Sequence, residues 1–143
     1  MDPNQFDALK LENQLCFPLY AAAREVVKKY RPFLDAIDLT YTQYIAMMVM
    51  WEHEQITVKE LGERLYLDSG TVTPVVKSLI AKGHVQKQRN QADERSVIVT
   101  LTEKGRALRH SAEQIPQQVA GCISLAPEEA IQLYSLLYKV LQS

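Results

Sequence analysis

The spacing of apolar and polar positions divides most of the chain into helices. Between residues 8 and 30, Leu15, Leu19, Ala22 and Val26 fall on one helical row, with Cys16, Tyr20, Ala23 and Val27 on the row beside it. That broad apolar face predicts a helix over 8–30. Pro18 lies inside it and has no amide hydrogen to give, so it either kinks the helix or marks its local start. A second helix is predicted from about Thr42 to Glu52, rich in Ile45, Met47, Met48, Val49 and Trp51. Thr57-Val58-Lys59-Glu60 has the form of a capping box and opens a short helix with Val58, Leu61 and Leu65 inward. Asp68-Ser69-Gly70 breaks the pattern. The next helix turns Val72, Val75, Val76, Leu79 and Ile80 inward and stops at Lys82-Gly83. Two short helices joined by a tight glycine-containing turn make a helix-turn-helix.

The pattern then changes period. Residues 84–89 and 96–101 are strand-like, with Val97, Val99 and Leu101 alternating against Ile98 and Thr100, and the polar tip 90–95 joins them as a hairpin. Thr102-Glu103-Lys104-Gly105 starts a long helix. Its Leu108, Ala112, Ile115, Val119 and Cys122 recur at four, three, four and three, a heptad-like seam suited to another helix, although Pro116 weakens it. Pro127-Glu128-Glu129 opens a last helix with Leu133, Leu137, Val140 and Leu141 on its apolar side. The expected fold is mainly α with a small β-wing, a winged helix-turn-helix over 42–101. The segments 8–38 and 103–143 exceed what such a module needs and are read as the dimerisation helices of a homodimer.

Composition narrows the class. With 143 residues, 47% of them hydrophobic and 23% charged, the chain suits one globular domain. No run approaches the ~20 apolar residues of a membrane span. The N-terminal stretch is polar and acidic rather than basic like a signal peptide, so a cytoplasmic location without membrane contact is expected. The net charge of −1 is unevenly spread: residues 77–109 hold eight basic and three acidic side chains, a net of +5, which leaves −6 for the remainder. An acidic body with one basic stretch fits a face that meets phosphate, as it also fits a merely solvated face. Two cysteines, Cys16 and Cys122, and three scattered histidines have no zinc-ligand spacing, so no metal or cofactor is expected.

These elements carry candidate chemistry. On the second helix of the helix-turn-helix, Ser69, Thr71, Thr73, Pro74, Lys77 and Ser78 point outward. Small hydroxyls and one lysine let a helix sit deep in a major groove and reach base edges and phosphates, and Pro74 offers a flat apolar contact near the helix start. At the hairpin tip, Arg89 and Arg95 suit a neighbouring minor groove, and Asp93 is placed to hold the Arg95 guanidinium.

Val58-Lys59-Glu60-Leu61-Gly62, Leu79-Ile80-Ala81-Lys82-Gly83, Asp93-Glu94-Arg95-Ser96 and Leu101-Thr102-Glu103-Lys104-Gly105 resemble the MarR family over nearly the whole chain. The resemblance implies winged lobes, a dimer interface made by the first and last helices, and a repressor relieved by a small molecule or by oxidation. Leu11 to Phe17, Leu19-Tyr20, Leu39 to Tyr44 and Leu65 to Thr71 resemble more closely the organic-hydroperoxide-sensing OhrR branch. That resemblance implies Cys16 as the peroxide-sensing thiol. It implies Tyr30 and Tyr41 of the partner subunit as its contacts, Tyr20 as a further supporting residue, and Cys122 as a resolving thiol.

Geometry agrees with a cross-subunit contact. Fourteen residues on one straight helix separate Cys16 from Tyr30 by roughly 21 Å, so they meet only across a dimer or if the helix breaks. Tyrosine hydroxyls donating to sulfur favour the thiolate, the species that attacks peroxide, and a second thiol then converts the sulfenic acid to a disulfide. The leading expectation is a non-enzymatic repressor that holds a palindromic double-stranded operator when reduced and releases it when an organic hydroperoxide oxidises Cys16. Two other readings stand beside it. One is a repressor controlled by a reversibly bound aromatic ligand, with Cys16 as a small buried hydrophobe. The other is a thiol peroxidase, for which no acid, base or substrate motif accompanies the cysteines.

Overall fold

The computed structural model describes residues 7–143, and of Glu94 the backbone alone; residues 1–6, where the acidic N-terminal stretch begins, lie outside the described residues. The first long helix, α1 (Cys16–Asp35), starts eight residues later than the apolar rows predict. Ahead of it the chain makes a 3-10 turn (Leu11–Asn13), where the Asn13 amide donates to the Asp7 carbonyl at 2.8 Å and the Gln14 amide to the Lys10 carbonyl at 2.9 Å. Such side-chain bonds compete with a helical backbone. Pro18 is therefore the third residue of α1, in the turn whose amides have no acceptor within the helix, and it marks a start rather than a kink. Pro32 lies further along the same helix, which nevertheless continues to Asp35.

The middle of the chain forms α2 (Tyr41–His53), β1 (Gln55–Thr57), α3 (Val58–Leu65), α4 (Ser69–Ala81), β2 (Val85–Asn90) and β3 (Asp93–Leu101). The sheet is antiparallel in the order β1-β3-β2, with Ile56 opposite Val99 and Lys87 opposite Val99 on the other side. Strand β1 has no sequence signal, because three residues are too few to show a period of two. Helices α1, α3 and α4 all end alike. In each, one amide bonds back five residues (Leu39 to Leu34, Leu67 to Gly62, His84 to Leu79) and the preceding one bonds back three. The residue that turns left-handed is Asp38, Tyr66 or Gly83, with φ of 54°, 57° and 82°.

Around α2 lies the core: Met47, Met50, Leu61, Val72, Leu79, Val85 and Val99 are all buried. Full burial of such a side chain contributes about 1.5–3 kcal/mol each. The lobe is closed where Gly105 packs against the His84 carbonyl so tightly that no Cβ fits, while the Trp51 indole donates to the Gly105 carbonyl at 2.8 Å.

The predicted long C-terminal helix is three helices: α5 (Glu103–Ala112), α6 (Ile115–Ala120) and α7 (Pro127–Leu141). Pro116 sits at the start of α6, where its missing amide costs nothing, and the chain turns at Glu113-Gln114. The expected seam is thereby corrected. Ala112, Ile115 and Val119 are buried in this chain's own core, so they face no partner helix, and Cys122 lies beyond α6 in an exposed turn. Helix α7, by contrast, buries none of its residues.

Candidate DNA interface and sensor thiol

Asp68 builds the start of α4. Its carboxylate accepts from the Thr71 amide at 2.9 Å and from the Thr71 hydroxyl at 3.0 Å. The N-cap thus fixes the helix and also orients a surface hydroxyl, which is left with its lone pairs outward as an acceptor. Ser69, Thr71, Thr73, Pro74 and Lys77 are all exposed, as expected of a helix face that enters a groove. Two details differ from the sequence reading. Ser78 is half-buried and its hydroxyl donates to the Pro74 carbonyl at 3.0 Å, so it is occupied within the helix. Pro74 lies in the body of α4, six residues after the cap, rather than in its first turn.

Nearby, the wing is longer than expected, because its strands run to a two-residue tip at Gln91-Ala92. The Asn90 side chain accepts the Ala92 amide at 3.0 Å and sets that turn. Pairing is regular as far as Arg89 opposite Val97 and then jumps to Asn90 opposite Asp93, leaving residues 94–96 bulged out of the ladder. A bulge re-aims side chains, and this one carries Arg95. Asp93 accepts the Arg95 backbone amide at 3.0 Å. The bond the structure gives this carboxylate is thus to the Arg95 main chain, and it shapes the bulge that presents Arg95. Arg95 lines a cleft of about 580 Å³ between wing and helix-turn-helix with Lys59, Glu63, Ser69 and Asp93. Lys59, not singled out in the sequence as a contact residue, shares this cleft, whose charged lining is mixed. Its signal was its place in the first turn of α3. Arg89 is exposed on β2.

Cys16 is the first residue of α1 and is exposed, flanked by Leu15 and Phe17, which are also exposed. Tyr30 and Tyr41 stack edge-on with ring centroids 4.9 Å apart, and Tyr44 joins them at 5.7 Å from Tyr30. Burial raises the pKa of all three phenols, and for Tyr41 and Tyr44 the neighbouring phenol adds to it. They therefore remain protonated donors at neutral pH. Tyr20 is not part of this cluster. It is exposed one turn after Cys16, with the Arg24 guanidinium 5.6 Å from its ring centre. Because α1 is continuous, Cys16 and Tyr30 lie at opposite ends of one rod and do not meet within a chain. The Cys122 thiol donates to the Gln118 carbonyl at 3.4 Å. Helix α6, which precedes it, packs on α1.

Comparison with known proteins places this arrangement. Residues 28–111 match the family of SarA/Rot transcriptional regulators. The chain is 49% identical over 140 residues to the organic hydroperoxide resistance transcriptional regulator of Bacillus subtilis, covering 98% of this chain and 95% of that protein. Among solved structures, reduced AbfR bound to DNA superposes with a TM-score of 0.80 at 29% identity, covering 97% and 95% of the two chains. Disulfide-formed AbfR gives 0.65 at 31% identity, with 96% of each chain covered. Among the described residues no helix is long and apolar enough to cross a membrane.

Proposed function

Since this chain belongs to the SarA/Rot family of MarR-like transcriptional regulators, we propose that it is a dimeric repressor whose hold on operator DNA is released when an organic hydroperoxide oxidises Cys16. It is a cytoplasmic, non-enzymatic protein on this reading. One observation carries it: an exposed thiol begins an unbroken helix whose later turns carry Tyr30, packed there against Tyr41 of α2, both of them protonated donors. Only a second copy, its α1 running the other way, brings Tyr30 and Tyr41 to Cys16. The exposed apolar residues of α1 and α7, among them Phe17, Leu19, Ile131, Leu133, Leu136 and Val140, supply the surface for that copy.

The chemistry is two-electron oxidation. The Cys16 thiolate attacks the terminal peroxide oxygen, the O–O bond breaks, and the leaving alkoxide takes a proton from water, giving sulfenic acid and an alcohol. The partner's Cys122 then attacks that sulfur, water leaves, and a disulfide closes. Reduced, the dimer lays each α4 in a major groove through Ser69, Thr71, Thr73, Pro74 and Lys77, while Arg95 and Arg89 reach the flanking minor groove. Two half-sites related by the dimer axis make the operator palindromic. The better match to DNA-bound reduced AbfR than to its disulfide form supports the present conformation as the binding one.

The test is a gel shift on a duplex selected from a random-sequence pool by the reduced protein. It is run before and after one equivalent of cumene hydroperoxide, with and without dithiothreitol. Wild type releases DNA and thiol restores binding; Cys16→Ser ignores peroxide; Cys122→Ser releases DNA without forming a dithiothreitol-sensitive dimer on a denaturing gel. Release by Cys16→Ser equal to wild type sinks the assignment.

A further inference from the structure

Apart from the sensor and the DNA face, one polar cluster at the surface joins three helices end to end, with Gln43 buried, Lys82 half-buried, and Asp38 and Lys104 exposed. Lys82 is the C-cap of α4, beside left-handed Gly83. Its ammonium donates to the Asp38 carbonyl at 2.6 Å and to the Gln43 side-chain oxygen at 2.9 Å, with the Asp38 carboxylate 3.6 Å away. Asp38 is the residue on which α1 turns off, in a left-handed conformation that only a few side chains adopt. Gln43 is itself fixed, since its side chain also accepts the Thr40 amide that opens α2. The carbonyl of Lys82 in turn accepts the ammonium of Lys104, in the first turn of α5, at 2.7 Å. The Thr102 hydroxyl donates to the Gly83 carbonyl beside it.

Each ammonium thus sits on the negative end of another helix: Lys82 on α1, Lys104 on α4. Two hydrogen bonds and an ion pair hold the Lys82 ammonium, which fixes a side chain that is otherwise long and mobile. Helix α1 has its thiol at one end and Asp38 just past the other; twenty residues make it a rod of about 30 Å. A tilt imposed at Cys16 must move the Asp38 turn, and Lys82 is the one side chain among the described residues given a hydrogen bond from that turn to α4.

We propose that Lys82, seconded by Lys104, is the positioning residue that couples the oxidation state of α1 to the placement of recognition helix α4. This rests on the peroxide-sensing reading above. Breaking the clip frees α4 from the sensor, so the two redox states come to bind DNA more alike.

The experiment measures operator affinity of reduced and cumene-hydroperoxide-oxidised dimer for wild type, Lys82→Met, Lys82→Arg and Lys104→Met, on the same selected duplex and over a range of salt. Thermal unfolding first establishes that each variant folds. The expected result is an oxidised-to-reduced Kd ratio cut about fivefold or more in Lys82→Met, less in Lys104→Met, and largely restored in Lys82→Arg. Should Lys82→Met weaken both states equally and keep the ratio, the lysine is merely structural and the inference is overturned. A salt slope shallower by about one in Lys82→Met identifies a phosphate contact and overturns it equally. If Lys82→Met does not fold, the unchanged or reduced ratio of Lys104→Met decides. Wild type that keeps its DNA after peroxide overturns the peroxide reading, and this coupling falls with it; a responsive wild type beside an unaltered variant ratio overturns the coupling alone.

Discussion

In the lobe made by α2, α3, α4 and the sheet, the large apolar side chains are almost wholly hidden: Met47 and Met50 are 0% exposed and Leu79 1%. In α7 the same kinds of side chain lie open, with Ile131 at 69%, Tyr134 at 63% and Val140 at 57%. The lobe is a finished core, while the terminal helices are half of one. An apolar surface of that extent is costly in water and marks a place where another chain belongs. On the proposed function, stability and DNA reading reside in one region, and assembly and sensing in the other. Damage to each should be separable.

The largest effect is expected inside the lobe. Gly105 touches the His84 carbonyl and the Leu101 side chain, both of which are held in place by packing. Gly105→Val forces them apart and should cost about 4 kcal/mol or more, enough to unfold a marginal domain. Circular dichroism and thermal melting would register the loss of the lobe itself; a folded variant with ordinary Tm would refute the packing argument. Next comes the opposite kind of damage. Leu133→Glu together with Leu136→Glu on α7 should leave the lobe helical and folded yet produce a monomer in sedimentation velocity. Operator affinity should fall by about 100-fold or more as one half-site is lost, on the order of the margin that specific contacts supply. A variant that is still dimeric places the interface elsewhere.

The contrast also explains what the sequence made legible. Helix-turn-helix, glycine stop and wing were readable because local chemistry sets them: Asp68 caps α4, Gly83 turns left-handed, and alternate residues of β3 face the core. The family and the regulator reading follow from those same motifs. Periodicity does not say whose core an apolar row enters. Ala112, Ile115 and Val119 show the spacing of an intermolecular seam but pack inside their own chain, whereas the apolar positions of α7 remain uncovered. The break at Glu113-Gln114 was signalled only by Pro116. The start of α1 was hidden because Asn13 and Gln14 bond to the backbone ahead of it. The tyrosine cluster gathers residues from two helices, and proximity of that kind has no linear signature.

Within the proposed DNA-reading region, Arg95→Ala should weaken operator binding by about 1–3 kcal/mol, ~5- to 150-fold, without changing assembly or Tm. Asp93→Ala should reproduce part of that loss, because it removes the bond that shapes the bulge. Fluorescence anisotropy at several salt concentrations measures both. Equal affinity in Arg95→Ala would exclude the wing from the interface.

A smaller effect is a pH slope. His84 is buried, with Nδ1 unpaired, and burial first, then Lys104 and Lys82, hold its pKa below the free value of 6.5, against a weaker opposite pull from Asp38. The unfolded chain therefore takes up the proton first as pH falls. The stability owed to neutral His84 is fully present above about pH 6.5 and is lost as pH drops toward the folded pKa. Tm should fall more steeply between about pH 7 and pH 5 in wild type than in His84→Leu; parallel curves would show that the imidazole is not the titrating group.

The smallest expected difference compares two helix caps, one at the joint between regions and one within the lobe. Thr40 makes a reciprocal box with Gln43: the hydroxyl accepts the Gln43 amide at 3.3 Å, and the Gln43 side chain accepts the Thr40 amide at 3.1 Å. Thr57 makes half of one. Its hydroxyl accepts the Glu60 amide at 3.1 Å, but the Glu60 carboxylate turns to Arg64 at 3.4 Å instead of reaching back. Thr40→Ala should therefore cost more than Thr57→Ala, within the range of about 0.5–2 kcal/mol for a lost cap. The surplus arises because alanine leaves the return bond without a fixed geometry, and Gln43 is also an acceptor for Lys82. Calorimetry of the two variants under reducing conditions orders them. If Thr57→Ala proves the costlier, the reciprocal bond is worth little here, and the joint between α1 and the lobe is held by the lysine clip and not by the cap.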